Sequence, residues 1–524
     1  MFKFYTIVIY LIVLCLEQTV RIEAARILGI FALPQPAKYT VMTSLVNALN
    51  ERGHQLTLII RYNNQEPLHH NIRKILIDGQ DEISKEFSTF STEVLDKSFF
   101  SNMQSIFGKS VLATSNIINN PYVKEIMKNE QFDMIMLDTF ICEALYGLGE
   151  HFNAPMVGIS NFGALTSLDL MVGNVSPLSF VPSLFTQHTF DVTFWKRCLN
   201  VALNVVDLMT HELLQLPLQR RLYNDLFPNA TITFDQANRN FSLVLLNQHF
   251  SLSFPRPYVP NMIEVAGLHI EENLQNLPLN VQRFLDDSPQ GVIYLCLGVS
   301  ADMFNLNPNN SQSFVQTFKD LNYNVIWHNN YMPSEGYKYK NILQVFNVSQ
   351  YSMLAHPNIK LFITNGELIS IIEAVYYGKP ILGIPMFADQ HVNINMALKT
   401  GYGLGLTLRQ LTESKLQQNI LELLNNPRYL IKIKELSTVF RDQPMKPKDK
   451  AVYWIEYVLR HKGATHLRVK GRFLNIWQFN NIDVLLAFLV AFAVIVFSIW
   501  LTMKCIYLLV FKSKNNLQIK VKKN

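Results

Sequence analysis

The chemistry in this chain is most legible where an apolar run meets a tight polar turn. Leu361–Thr364 has the texture of a short buried strand, Asn365-Gly366-Glu367 reads as a turn, Leu368–Tyr377 as a helix, and Pro380–Pro385 as the next strand. A strand that feeds a turn opening a helix presents backbone N–H groups without intrahelical acceptors, at the positive end of the helix dipole. Such a corner binds phosphate. Ser370 and Glu373 follow on the helix, and Asp389-Gln390 and Asn393 follow the next strand. Glycine at 366 lets backbone approach a ligand closely.

A corner of this kind needs a parallel sheet behind it, and the chain supplies the text for two. Ile27–Phe31, Met42–Arg52 and Gln55–Ile60 spell strand, helix, strand, with Pro34–Tyr39 as a loop and Gly53 closing the helix. Phe132–Leu137 is a further apolar strand ending in Asp138, and Pro155–Ile159 another. Pro257–Ile270 is a connection marked by Pro and Asn, after which Gly291–Leu297, Asn324–Trp327, Ile359–Ile363 and Pro380–Ile384 form a second series of strands, with helices at Lys415–Asn425 and Ile431–Val439. Between the two series, residues 179–227 hold Phe194, Trp195, Leu199, Val201, Leu203, Val206, Leu208 and Leu213 at helical spacing. That pattern reads first as helices packed on the core, and second as an apolar acceptor pocket close to a bilayer.

The 524 residues suffice for two domains. The net charge of +6 is concentrated in the tail, where Lys512, Lys514, Lys520, Lys522 and Lys523 stand without an acid, so the body offers no nucleic-acid surface. Residues 2–16 are one Lys in an apolar run, and Glu23-Ala24-Ala25 supplies small residues for cleavage, so 1–25 reads as a signal peptide. Val484–Met503 is an uncharged stretch long enough to span a bilayer, and the lysines after it place the tail (504–524) in the cytosol and the body in the lumen. Sequons at Asn174, Asn229, Asn240, Asn309 and Asn347 fit a lumenal body. Lys520 and Lys522, five and three places from the end, have the form of an endoplasmic-reticulum retrieval signal. Cys142, Cys198 and Cys296 are the only body cysteines, which is too few for a disulfide framework, and no zinc spacing occurs.

From Ile27 to Val484, and most densely over Pro255–His269, Leu354–Gly403 and Arg441–Arg468, the sequence resembles the membrane-bound UDP-glycosyltransferases of the animal UDP-glucuronosyltransferase type. The resemblance implies an α/β GT-B fold. Two doubly wound, Rossmann-like parallel-sheet domains would face each other across a cleft, an acceptor domain over 26–270 and a donor domain with its stem over 271–480. A single C-terminal transmembrane helix would follow, with the body in the endoplasmic reticulum. It implies transfer of glucose or glucuronic acid from a UDP-sugar, used as co-substrate with no cofactor, to a small lipophilic acceptor with inversion. Pairing with a second copy or with relatives is implied as well.

In that family's pattern Asp138 matches the carboxylate that orients the catalytic base, and Gln350 stands near the uracil. Gly366 and Ser370 match the phosphate turn, Glu373 matches the acid that accepts the ribose hydroxyls, and Asp389 and Gln390 match the pair that grips the donor sugar. Five positions depart from it. Thr40 occupies the place of the catalytic His, and no His lies between Arg26 and Gly53; a threonine hydroxyl is no proton acceptor near pH 7. Asn365 replaces the phosphate His, Glu367 the second glycine, Val299 a serine, and Asn347-Val348 the stretch with the uracil-stacking Trp. His54, beyond the helix, reads as structural. Two readings follow. One is a working transferase with altered donor preference and a base from elsewhere. The other is a weak or inactive member that binds lipophilic ligands or partners an active relative.

Overall fold

A computed structural model describes residues 24–31, 36–61, 68–77, 99–140, 142–182, 193–298, 308–328, 339–346, 348–386 and 389–521. Two all-parallel sheets form in the segment ending at Val469. The first contains β1 (Arg26–Phe31), β2 (Gln55–Ile60), β3 (Arg73–Leu76), β4 (Met134–Asp138), β5 (Met156–Ser160), β6 (Phe241–Leu246) and β7 (Met262–Glu264), in the order β3-β2-β1-β4-β5-β6-β7. The second contains β8 (Val292–Cys296), β9 (Asn324–His328), β10 (Ile342–Val345), β11 (Ile359–Thr364), β12 (Ile381–Gly383) and β13 (Gly403–Gly405), in the order β10-β9-β8-β11-β12-β13. The central strands are continuous apolar runs because helices cover both faces: every residue of β4, β5 and β6 is buried. This is the doubly wound α/β architecture expected from the sequence, and it brings the carboxyl ends of the strands of each sheet to one edge.

Seven helices are referred to by label: α1 (Pro36–Glu51), α2 (Phe194–Thr210), α3 (Gln350–Ala355), α4 (Leu368–Tyr376), α5 (Gln390–Thr400), α6 (Pro447–Arg460) and α7 (Ile482–Val521). α1 starts earlier than the sequence predicted. Proline at its first position fits the fixed φ of a helix start and removes an N–H that has no intrahelical acceptor. Thr40 therefore lies in a helix, not in a loop. The edge strand β7 and the segment Val265–Ile270 occupy what the sequence marked as a connection. α6 returns to the first sheet. Its Ala451, Val452, Ile455 and Val458 share one core with Ile27, Leu45, Leu49 and Leu243, and Arg468 Nη1 donates to Asn240 Oδ1 at 2.7 Å. His54 is structural, as expected: it is buried, its Nδ1 accepts the Ala25 N–H at 3.2 Å, and its Nε2 faces Glu456 at 3.7 Å.

α2 does not pack as the first reading of its spacing predicted. Phe194 is 60% exposed and Trp195 78%, and Leu199, Val205, Met209 and, beyond the helix, Leu213 are exposed too. The buried residues are polar. Asn204 Nδ2 donates to Asn200 O at 2.9 Å, and Gln215 Nε2 donates to Glu143 Oε1 at 2.5 Å. The helical period was right and the inward face was wrong, because hydrogen bonds let the amides be buried while the apolar residues point outward.

Taken by itself, the segment from Lys470 onward contains α7. Its stretch Ile482–Phe511 is 30 residues of strongly apolar helix with none of them buried. At 1.5 Å per residue it is about 45 Å long, enough for the ~30 Å hydrocarbon core of a bilayer. It encloses the predicted Val484–Met503.

Candidate active site

The donor corner forms where β11 ends. Gly366 has φ +88°, and a Cβ there would meet Ile394 Cγ1 at 2.6 Å, so only glycine fits both the backbone and the packing. Side chains take the first two N–H groups of the turn. Thr364 Oγ1 accepts from Gly366 N at 3.2 Å, and Asn365 Oδ1 accepts from Glu367 N at 3.2 Å. The first helical bond runs from Ile371 N to Glu367 O, at 3.0 Å. The N–H groups of Leu368, Ile369 and Ser370 therefore have no intrahelical acceptor, and they are the donors this corner can offer an anion.

Glu367 caps α4 without making a side-chain capping bond. Its Oε1 accepts from Asn365 Nδ2 at 2.9 Å, and its oxygens lie 3.5 and 3.8 Å from where a Cβ on Gly298 would stand. β8 and β11 are paired, with Thr364 opposite Cys296, so the carboxylate lies across the carboxyl ends of two central strands. Burial, with Glu367 and Glu373 adding to it, pushes the Cys296 thiol up to about 12.

Gln350, Ser370 and Glu373 form one hydrogen-bonded cluster. Gln350, the first residue of α3, donates from Nε2 to Ser370 Oγ at 3.1 Å and to Glu373 Oε2 at 2.7 Å. Glu373 lies one turn beyond Ser370 on α4, and its Oε1 is 3.1 Å from His269 Nε2. Asp389 and Gln390 start α5. Asn393 Nδ2 bridges Asp389 Oδ2 and Gly366 O, each at 2.9 Å, and Gln390 Oε1 accepts the Met386 N–H at 2.8 Å. All the predicted donor residues from Gln350 to Gln390 thus share the carboxyl edge of the second sheet. Val299 and Asn347 lie outside the described residues.

Asp138 and Thr40 belong to the edge of the first sheet. Asp138 ends β4, is 4% exposed, and accepts the Phe140 N–H on Oδ1 at 3.2 Å. Thr40 is partly buried in the early turns of the helix after β1, and β1 lies beside β4 with Ile30 opposite Leu137. The two edges meet through Ile369 of α4, which packs in one apolar cluster with Tyr39, Val41 and Leu268. Among the described residues no group of three His, Cys, Asp or Glu side chains could hold a metal ion. No motif marks the His269–Glu373 contact, which joins residues 104 positions apart and is visible only in the fold.

Two histidines each contribute acid sensitivity. His328 ends β9 with Nδ1 2.6 Å from the Tyr294 hydroxyl, and burial lowers its pKa from 6.5 to about 4. Burial, then Lys450, lowers His249 to about 4. Between pH 6.5 and 4 the unfolded chain binds protons that the folded chain does not, so stability falls as pH falls, by about 1.4 kcal/mol per pH unit for each histidine. Asp207 opposes this below about pH 6, because burial raises its carboxyl to about 6 and the folded state keeps a proton that the unfolded state releases. Asp169, Glu264 and His211, all raised, act in the same sense as Asp207, so the histidine contribution is read by difference. Between about pH 6.5 and 4.5 His328→Gln is expected to lose less stability than the native chain, read from denaturation midpoints across pH, and an equal loss contradicts this.

Two parallel α/β sheets in one compact body, with a phosphate-type helix corner on the edge of the second and a carboxylate on the edge of the first, define a GT-B glycosyltransferase. The chain belongs to the family described as UDP-glucoronosyl and UDP-glucosyl transferase, whose model matches residues 30–522. It is 31% identical over 484 residues to UDP-glucosyltransferase 2 of Dactylopius coccus, covering 91% of this chain and 92% of that one. It is 28% identical over 506 residues to UDP-glucuronosyltransferase 2B16 of Oryctolagus cuniculus, covering 90% and 92%. Among solved structures, the calicheamicin glycosyltransferase CalG4 shares the fold with a TM-score of 0.55 at 15% identity, over 84% of this chain and 99% of that one.

Proposed function

We propose that the protein transfers glucose or glucuronic acid from a UDP-sugar to a small lipophilic hydroxyl acceptor, with inversion. The observation that carries this reading is the Gln350–Ser370–Glu373 cluster set directly behind the open N–H groups of α4. The acceptor oxygen attacks the anomeric carbon on the face opposite UDP, and the bond from that carbon to the β-phosphate oxygen breaks. The charge on departing UDP meets the N–H groups of Leu368, Ile369 and Ser370. Glu373 holds the ribose hydroxyls, and Asp389 and Gln390 the sugar. Thr40 cannot receive the acceptor's proton, so we assign it to Asp138, the carboxylate at that edge. No cofactor takes part. The relatives found are named as transferases, which supports turnover over mere ligand binding. The test is UDP release from UDP-glucose and UDP-glucuronic acid by the full-length chain over a panel of phenols and alcohols; no release from either donor with any acceptor, from a folded preparation, overturns the reading.

α7 supports a single-pass anchor, and we place the body on the lumenal side of the endoplasmic reticulum membrane. A specific glycan pattern follows. Asn229 is exposed, whereas Asn174 is buried with Nδ2 donating both to Asp169 Oδ1 at 2.8 Å and to Pro257 O at 3.2 Å. A glycan leaves that amide nitrogen one hydrogen, so it cannot make both bonds. Peptide mapping is expected to find glycan on Asn229 and none on Asn174; the reverse pattern contradicts the placement.

A further inference from the structure

We propose that His269 is a positioning residue for the nucleotide: it orients the Glu373 carboxylate so that one lone pair on each oxygen remains for the two ribose hydroxyls. This rests on Glu373 being the ribose acid, as proposed above.

A carboxylate accepts about four hydrogen bonds. In Glu373, which is 3% exposed, each oxygen has one protein donor: His269 Nε2 at 3.1 Å on Oε1, and Gln350 Nε2 at 2.7 Å on Oε2. Since a carboxylate only accepts, the His269 ring carries its proton on Nε2. One donor per oxygen fixes the plane of the carboxylate and leaves a matched pair of acceptor sites, the arrangement that two vicinal hydroxyls require. With His269 removed, Oε1 loses its anchor and the group turns about the Gln350 bond.

The segment that carries His269 is held on both sides of it. The imidazole ring is buried, on the segment that leaves β7 of the first sheet. On either side of it, Ser44 Oγ of α1 donates to Leu268 O at 3.1 Å and lies 2.9 Å from Glu271 Oε1, and Glu271 is ion-paired with Lys448 of α6. The imidazole thus reaches the donor carboxylate from a segment tied to the acceptor side, including the helix that bears Thr40.

The experiment compares UDP with 2′,3′-dideoxy-UDP as inhibitors of donor use by the full-length enzyme, and takes the ratio of their inhibition constants within each variant. This ratio does not depend on the fraction of folded protein. The native chain is expected to prefer UDP by about 10- to 100-fold. His269→Ala should lose most of that preference, raising KM for the UDP-sugar by about the same factor while kcat moves less. His269→Gln, which can still present an N–H to Oε1, should restore most of it. If His269→Ala keeps the native preference while Glu373→Ala loses it, the positioning role is wrong and the ribose assignment stands. If Glu373→Ala also keeps the preference, the ribose assignment fails first and the positioning role with it.

Discussion

Thr40→His is expected to raise turnover by about 10- to 100-fold, less than the roughly 10²- to 10⁴-fold a positioned general base contributes where none stands, because Asp138 already takes the acceptor's proton. Position 40 lies in the early turns of α1, immediately beyond β1, and β1 is the sheet neighbour of β4, which ends in Asp138. An imidazole at 40 and the carboxylate at 138 then stand on the same strand edge, with the acid able to hold one ring nitrogen and leave the other for the acceptor's proton. The check is kcat for UDP release at saturating donor across pH. A new limb near the ordinary histidine value of about 6.5 should appear with the gain. Adding Asp138→Asn to the Thr40→His variant should remove most of the gain while leaving donor KM unchanged. An unchanged rate in Thr40→His means that proton transfer takes place elsewhere.

The second large effect concerns donor affinity. Glu367→Gln is expected to lower the Kd for UDP by about 5- to 30-fold, the equivalent of about 1–2 kcal/mol of repulsion between a partly exposed carboxylate and a diphosphate a few ångströms away. The carboxylate cannot swing clear without cost, because Asn365 Nδ2 holds it at 2.9 Å across the turn from Gly298. The isosteric change removes charge and keeps shape, and α4 loses only a small favourable term at its N-terminus. The native protein should also bind UDP relatively better as salt rises, a trend weaker in Glu367→Gln, since screening relieves repulsion. A Kd in the variant equal to or higher than the native value would place Glu367 outside the phosphate's reach.

What could be read from the sequence was whatever is local. The strand β2 ran over Gln55–Ile60 as predicted, and the corner at Gly366 followed from a strand, a turn and a helix adjacent in the chain. The spacing of Ser370 and Glu373 put them one helical turn apart, and both face Gln350. Contacts between distant segments were not legible. His269 is an isolated imidazole in an apolar stretch, and nothing local says it will meet Glu373. The apolar spacing of residues 194–213 identified a helix without its orientation, because periodicity marks a face and not the solvent it meets. Asn174 carries a sequon, yet its amide is spent on Asp169 and Pro257. α6 lies far along the chain from the first sheet, and only packing reveals that it completes that core.

Every role assigned above requires that the corner at Gly366 and the carboxylate behind it take up a uridine nucleotide. The most direct measurement is the thermal midpoint of the full-length protein with and without saturating UDP, for the native chain and for Glu373→Ala. Binding to the folded state alone raises the midpoint, by the equivalent of about 2.7 kcal/mol at a hundredfold excess over Kd. A clear rise in the native chain that shrinks to about half or less in Glu373→Ala is the predicted result. No rise in the native chain, or the same rise in both, would contradict it.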